Sequence, residues 1–172
     1  MTPLKTGLLA LAFSFTPITE MAMEEDAPPV SAPTLSLVME GVVDIGIPRQ
    51  MGESPNGVRR EIPITGGTFS GPEFAATVLP GGSDWQLQRA DGGLEIVADY
   101  TLQTEDGVFI RVINEGVSYP ASDDRARYTM TTPRFIAPEG RYGWLNEAVF
   151  VGTLRVSGDT PPKILIGVYR AE

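Results

Sequence analysis

Residues 94–114 read LEIVADYTLQTEDGVFIRVIN, and their alternation decides the fold class. Leu94, Ile96, Ala98, Tyr100 and Leu102 share one face, while Glu95, Val97, Asp99 and Thr101 share the other. A period of two residues is that of a pleated strand, whose successive side chains point to opposite sides. Thr104-Glu105-Asp106-Gly107 then supplies turn chemistry, and Val108–Asn114 alternates again. The stretch predicts an antiparallel hairpin. Alternation alone does not say which face is inside, because a one-residue change of register exchanges the two sets. Glu95, Asp99 and Arg111 are candidates for chemistry in one register and surface decoration in the other. Arg111 alternates with Phe109 and Ile113, and an outward, solvated guanidinium is the simpler expectation.

The same texture extends in both directions. Upstream, Thr34–Ile47 reads as a long strand with a kink at Gly41, followed by a loop over Met51–Gly57. Arg59–Thr65, Glu73–Leu79 and Trp85–Gln88 read as strands. They are separated by a glycine-rich bend, Gly66–Pro72, and a tight turn, Pro80–Asp84. Downstream, Glu115–Ala126 reads as irregular. Arg127–Thr132 and Arg134–Ile136 read as a strand broken at Pro133, and Leu145–Val156 and Lys163–Tyr169 as the final strands. About eight strands at this spacing predict an all-β, single antiparallel sandwich or barrel. A barrel also removes the exposed edges that so many strands would otherwise leave.

Composition narrows the chemistry. The chain has 172 residues, 42% hydrophobic and 20% charged, which suits one globular domain. Its formal net charge is −9, so a phosphate backbone is repelled and no nucleic-acid partner is expected. There is no Cys, which removes disulfides and thiolate chemistry. There is no His, which removes the commonest general base and the commonest zinc ligand. Acid–base work falls to Asp, Glu, Tyr, Lys or Arg.

The first residues are different. Lys5 precedes an apolar run, Gly7–Phe15, in the pattern of an export signal. The run is too short to span a bilayer as a helix. Cleavage would fall near Ala22 or Ala32, both in imperfect contexts, and Glu24–Pro33 is an acidic, proline-rich linker. The expected organisation is a leader and linker over 1–33 and a β-barrel domain over 34–172. Export to the periplasm or medium is the expectation, with a cytoplasmic leader as the alternative.

Several ordered motifs then carry a resemblance. They are Gly66-Gly67-Thr68-Phe69-Ser70-Gly71-Pro72 and Leu79-Pro80-Gly81-Gly82-Ser83-Asp84-Trp85-Gln86, followed by Arg89-Ala90-Asp91-Gly92 and Tyr100-Thr101-Leu102. Asn114 with Gly116, Thr131 with Pro133 and Phe135, Trp144-Leu145-Asn146 and Phe150-Val151-Gly152 come after them. Over residues 35 to 170 the chain resembles the uncharacterised bacterial family catalogued as domain of unknown function 3237. The resemblance implies a compact barrel similar to the allene oxide cyclases. It further implies, through some relatives, cofactor-free breakdown of lignin-derived aromatic acids with loss of a carboxyl group. Ile136 departs from the family, which usually carries an acidic residue there.

The candidate residues follow from what remains available. Asp84 next to Trp85, just after a tight turn, places a carboxyl where an aromatic wall would raise its pKa into a useful range. The structural alternative is that Asp84 caps its turn and Trp85 packs in the core. Tyr100, Tyr128 and Tyr142 are candidate proton carriers or oxyanion donors, or simply packed rings. Arg60, Arg111 and Arg134 are candidates to grip a substrate carboxylate. Asn114 and Asn146 are candidate donors or backbone bridges, and Trp144 a candidate stacking wall. Gly66-Gly67 and Gly81-Gly82 fit no phosphate-binding pattern and read as bends. No metal cluster and no organic cofactor are expected.

The expected function is a cofactor-independent lyase of decarboxylase type, or an isomerase, acting on a small aromatic or carbonyl acid inside the barrel. Asp84 would be the acid or base, with Tyr100 and Tyr128 as proton carriers. Arg60, Trp85, Arg111, Asn114, Trp144 and Asn146 would bind substrate. The alternatives are a small-molecule-binding barrel without catalysis and a structural barrel with a filled core. A homo-oligomer is compatible with any of these.

Overall fold

A computed structural model describes residues 30–172. Lys5, the run Gly7–Phe15, Ala22 and most of the acidic linker lie outside the described residues.

Ten strands follow in order: β1 (Leu35–Ile45), β2 (Arg49–Ser54), β3 (Gly57–Ser70), β4 (Ala75–Val78), β5 (Gly82–Gln88), β6 (Leu94–Thr104), β7 (Phe109–Tyr119), β8 (Tyr128–Ile136), β9 (Phe150–Val156) and β10 (Lys163–Ala171). A single 3-10 turn, Gly143–Asn146, precedes β9. All pairings are antiparallel, and β1–β3 contacts join the two ends of the sheet into a closed eight-strand barrel. The eight staves accommodate ten strands because β4 and β5 share one stave between β3 and β6, and β2 continues beyond β1 along β3.

The hairpin of residues 94–114 faces as one of its two readings requires. Leu102 pairs with Ile110 and Tyr100 with Val112, all inside, while Asp99 and Arg111 face outward and bond to each other. β3 closes the barrel by bending at Gly66-Gly67. Gly67 has φ +133°, and a Cβ there would stand 2.2 Å from the Val42 carbonyl oxygen. Only glycine satisfies both demands.

Leu145–Val156, read as one strand, opens in the 3-10 turn and becomes strand only at Phe150, and three other segments differ from their sequence reading for a physical reason. The predicted loop Met51–Gly57 is mostly the strand β2 and its turn. It carries no apolar alternation because it projects with nearly every residue exposed, leaving the pattern nothing to mark. The predicted irregular segment after Asn114 continues β7 to Tyr119, paired with Tyr128. β8 runs unbroken through Pro133. The β8–β9 ladder consists of Met130–Thr153 and Thr131–Gly152, so Pro133 lies beyond it, on a side where no donor is needed.

The interior divides into two halves along the axis. One is solid: Met39, Phe69, Val78, Leu102, Ile110 and Phe135 pack there, with Phe135 and Phe150 edge to face at 4.9 Å. The other half, toward Ile45, Leu94, Ser118 and Val156, is hollow.

Candidate functional site

The hollow half is a cavity of about 560 Å³, open at one end. Its walls are mainly branched aliphatics, including Val43, Ile62, Ile64, Ile96, Ile164 and Ile166. A groove of about 620 Å³ lies outside, across β1, β3, β9 and β10, but it contains no comparable set of buried polar groups.

Strand register fixes the polar groups of the interior. Ile62, Asp84, Ala98 and Asn114 form one row across β3, β5, β6 and β7. Arg60, Gln86 and Ile96 form the next. Because Asp84 and Gln86 are two residues apart on β5, both point inward. Gln86 Nε2 donates to Asp84 Oδ2 at 2.5 Å, and Arg60 Nε donates to Gln86 Oε1 at 2.7 Å. The result is a chain of hydrogen bonds from a guanidinium at the wall to a carboxyl in the cavity.

Asp84 Oδ1 is buried with no hydrogen-bond partner. Burial pushes the Asp84 pKa above the ordinary carboxylate value, and the Gln86 bond, the Val97 backbone and the Arg60 charge only partly oppose it. Tyr100, 4% exposed, lines the same cavity, and desolvation holds its phenol pKa well above normal. It is therefore a hydrogen-bond donor across the neutral range. Asn114, 1% exposed, also lines the cavity, and its Oδ1 has no partner. Thr131 Oγ1 is buried and unpartnered as well, with its side chain over Gly152.

Of the residues proposed from sequence, Asp84, Tyr100, Arg60 and Asn114 are brought together at this cavity. The others are not. Trp85 alternates with Asp84 and Gln86, so it stands on the outer face, 47% exposed. The environment that raises Asp84 is therefore the aliphatic barrel, not the indole. Arg111 is an exposed partner of Asp99, and Glu95 pairs with Arg89. Arg134 is exposed on the same outer surface. Tyr128 is 49% exposed and faces away from the cavity. Tyr142 packs against Phe74 and donates to Asp106 at 2.9 Å, away from the cavity. Trp144 lies against Phe150 with the Arg170 guanidinium over its ring. The side chain hydrogen-bonded to Asp84 is Gln86, not Tyr100.

Asn146 is a backbone bridge. It accepts from the Ala137 N–H at 3.0 Å and donates to the carbonyls of Ala137 and Gly143. Asn146→Ala is expected to cost about 1–2 kcal/mol in urea unfolding, with ligand affinity at the cavity unchanged.

Sequence reasoning passed over Gln86, Ser118, Arg127, Thr129 and Arg155, which also border the cavity. Gln86 was accessible by counting two residues from Asp84 on one strand. Among the described residues no group of three Asp or Glu could hold a metal ion, and no helix is long and apolar enough to cross a membrane.

Fold and cavity together define the class: a closed antiparallel barrel, solid at one end, with a one-ended interior pocket containing a buried carboxyl. The family follows from sequence. A family model described as "Protein of unknown function (DUF3237)" matches residues 33–171, and the chain belongs to that family. A UPF0311 protein of Rhodopseudomonas palustris is 33% identical over 138 residues, covering 73% of this chain and 88% of that one. A crystal structure of a protein of unknown function from the same species has a TM-score of 0.75 at 31% identity, covering 83% of this chain and 100% of that one. A barrel-like protein of Acinetobacter baumannii has a TM-score of 0.76 at 28% identity, covering 86% and 100%. A hydroalkoxylation enzyme of Penicillium herquei is 32% identical over 90 residues, 52% of this chain and 53% of that one.

Proposed function

We propose that the chain is a cofactor-independent enzyme that isomerises a small unsaturated aromatic or carbonyl acid by proton transfer inside the barrel. The observation that carries this reading is the Asp84 carboxyl, raised in pKa and facing an aliphatic cavity, with a fixed partner on only one oxygen. Burial favours its neutral form, which can act as a general acid.

The chemistry balances without an added reagent. Asp84 gives its proton to one carbon of a polarised double bond. A hydroxyl oxygen of the same ligand bonds to the other carbon, and that hydroxyl's proton returns to the carboxylate. Tyr100 donates a hydrogen bond to the oxygen where charge develops, and Asn114 Oδ1 accepts from a ligand donor. Gln86, held by Arg60, positions the carboxyl. The named activity of the Penicillium herquei relative is of this redox-neutral kind, and that supports the reading.

Loss of carbon dioxide is less well supported. A carboxylate held by a guanidinium keeps its charge where decarboxylation must disperse it. A binding barrel without catalysis remains the comparison case. The test incubates the protein with ortho-hydroxylated cinnamic acids and prenylated phenolic acids and follows products by mass spectrometry. Products of unchanged mass, formed by the wild type and not by Asp84→Asn, are expected. Loss of the carboxyl mass would favour the lyase. Ligand-induced thermal stabilisation with no product from any substrate would favour the binder.

A further inference from the structure

Most cations of the outer surface are paired, and Arg59, Arg125 and Arg134 are the exceptions among the described residues. Arg49, Arg89, Arg111, Arg141 and Arg170 each lie within ion-pair distance of a carboxylate. At the cavity the unpaired state is the rule. Arg60, Arg127 and Arg155 all border it, and among the described residues none is in an ion pair. Among the described residues the only carboxylate lining the cavity is Asp84, whose burial favours the neutral state. Three arginines without an ion-pair partner therefore border one cavity in a chain of net charge −9.

Arg127 and Arg155 are also related by the topology. The β7–β8 ladder extends to Tyr119–Tyr128, but the β8–β9 ladder stops at Met130–Thr153 on the open side. Tyr128 and Thr129 therefore run beside Leu154, Arg155 and Val156 without a ladder between them. Arg127 stands just before β8 and has the parity of Thr129, which lines the cavity. Arg155 lies on β9 between the cavity-lining Leu154 and Val156, so strand parity turns it to the outer side, where it borders both the cavity and the outer groove. The two residues thus stand on the two sides of one seam, Arg127 with inner parity and Arg155 with outer. Val156, 58% exposed, adds apolar surface to the cavity beside them.

We propose that this seam is the mouth of the site and selects amphiphilic monoanions. Arg127 and Arg155 receive a carboxylate, and the apolar body attached to it lies in the barrel. The inference rests on the cavity being the substrate site, and it makes the carboxylate a handle rather than the reacting group. Guanidinium suits carboxylate geometry. The aliphatic wall accepts only a body that gains by leaving water. The net charge of −9 disfavours multivalent anions.

A matched dye pair tests this without knowledge of the substrate. Anilinonaphthalene sulfonate and phenylnaphthylamine share one aromatic body and differ in the anionic group. Fluorescence titration of the full chain is expected to show the sulfonate binding at least tenfold more tightly. Arg127→Gln should abolish that preference and Arg155→Gln reduce it, both leaving phenylnaphthylamine affinity unchanged, which also reports an intact barrel. Cinnamate should displace the dye at least tenfold better than methyl cinnamate or inorganic phosphate does. The proposal is overturned if the Arg127→Gln/Arg155→Gln double variant keeps the preference. It is equally overturned if phosphate competes as well as cinnamate, or if neither dye binds. Asp84→Asn should retain the preference. Loss of turnover and loss of anion selection are therefore separate results, and either reading can fail alone.

Discussion

Asp84→Asn is expected to lower turnover by two to four orders of magnitude while making the barrel more stable at neutral pH. The two effects share one cause. Asn keeps the size of Asp84, and its carbonyl oxygen can still accept the Gln86 N–H that now bonds to Oδ2. It cannot release a proton, and removing a positioned general acid costs about 10²–10⁴ in rate. The stability effect follows from linkage. The folded pKa of Asp84 lies above its unfolded value, so burial stabilises the neutral form relative to the charged one. That contribution is fully present below the unfolded pKa and is lost as pH rises through the folded pKa. Wild type and variant should thus melt at similar temperatures near pH 4, and the variant should gain as pH rises, reaching a plateau above the folded pKa. Each unit of elevation is worth about 1.4 kcal/mol. Asp91, Asp99 and Asp106 have lowered pKa values and destabilise both proteins equally on acidification, so the difference between the melting curves isolates Asp84. The rate should decline on the alkaline side through the same pKa, because the acid form is the active one. A variant that turns over at the wild-type rate, or a melting difference that does not change with pH, would remove Asp84 from the mechanism.

Why Asp84 was legible when Trp85 was misread is a matter of period. The motif Asp84-Trp85-Gln86 is conspicuous as a triplet, but a strand separates neighbours and joins alternate residues. Asp84 and Gln86 therefore act together, and Trp85 faces solvent. The hairpin of residues 94–114 was readable because its inner face is uniformly apolar and its outer face carries Glu95, Asp99 and Arg111. β2 was not readable, since a hairpin with both faces wet has no hydrophobic pattern to impose. Arg127 and Arg155 were hidden for another reason. Sequence shows their charge but not that the β8–β9 ladder stops beside them, and a guanidinium becomes informative only when its environment lacks a counter-charge. Asn146 takes the backbone-bridge alternative of its two readings, which sequence could not separate because a side chain that satisfies three backbone groups has the same composition signature as one that binds substrate.

Leu102→Ala and Ile96→Ala, both on the inner face of β6, are expected to have unequal costs, and the inequality tests the division of the barrel. Leu102 is fully buried, opposite Ile110, in the solid half. Its truncation leaves a sealed void that packed neighbours cannot collapse, so the loss should be about 3–5 kcal/mol. A domain with a total stability of about 5–15 kcal/mol would be brought near its limit. Ile96 is also buried, but it borders the cavity. Truncation there enlarges a space that already exists and that water or ligand can enter. Only the transfer contribution is lost, about 1–2 kcal/mol. Urea unfolding should therefore separate the two variants by at least about 1 kcal/mol, with similar m-values. The Ile96→Ala cavity should also admit a bulkier aromatic body than the wild type does, whereas Leu102→Ala should leave ligand size selection unchanged. Equal costs, or a shift in ligand size from the Leu102 site, would mean that the two halves are one continuous core. The inequality expresses what a one-ended barrel gains by being solid below. The filled end carries the stability, so the open end can keep an aliphatic cavity and a carboxyl without full support, features that cost free energy and that binding of the proposed ligand would offset.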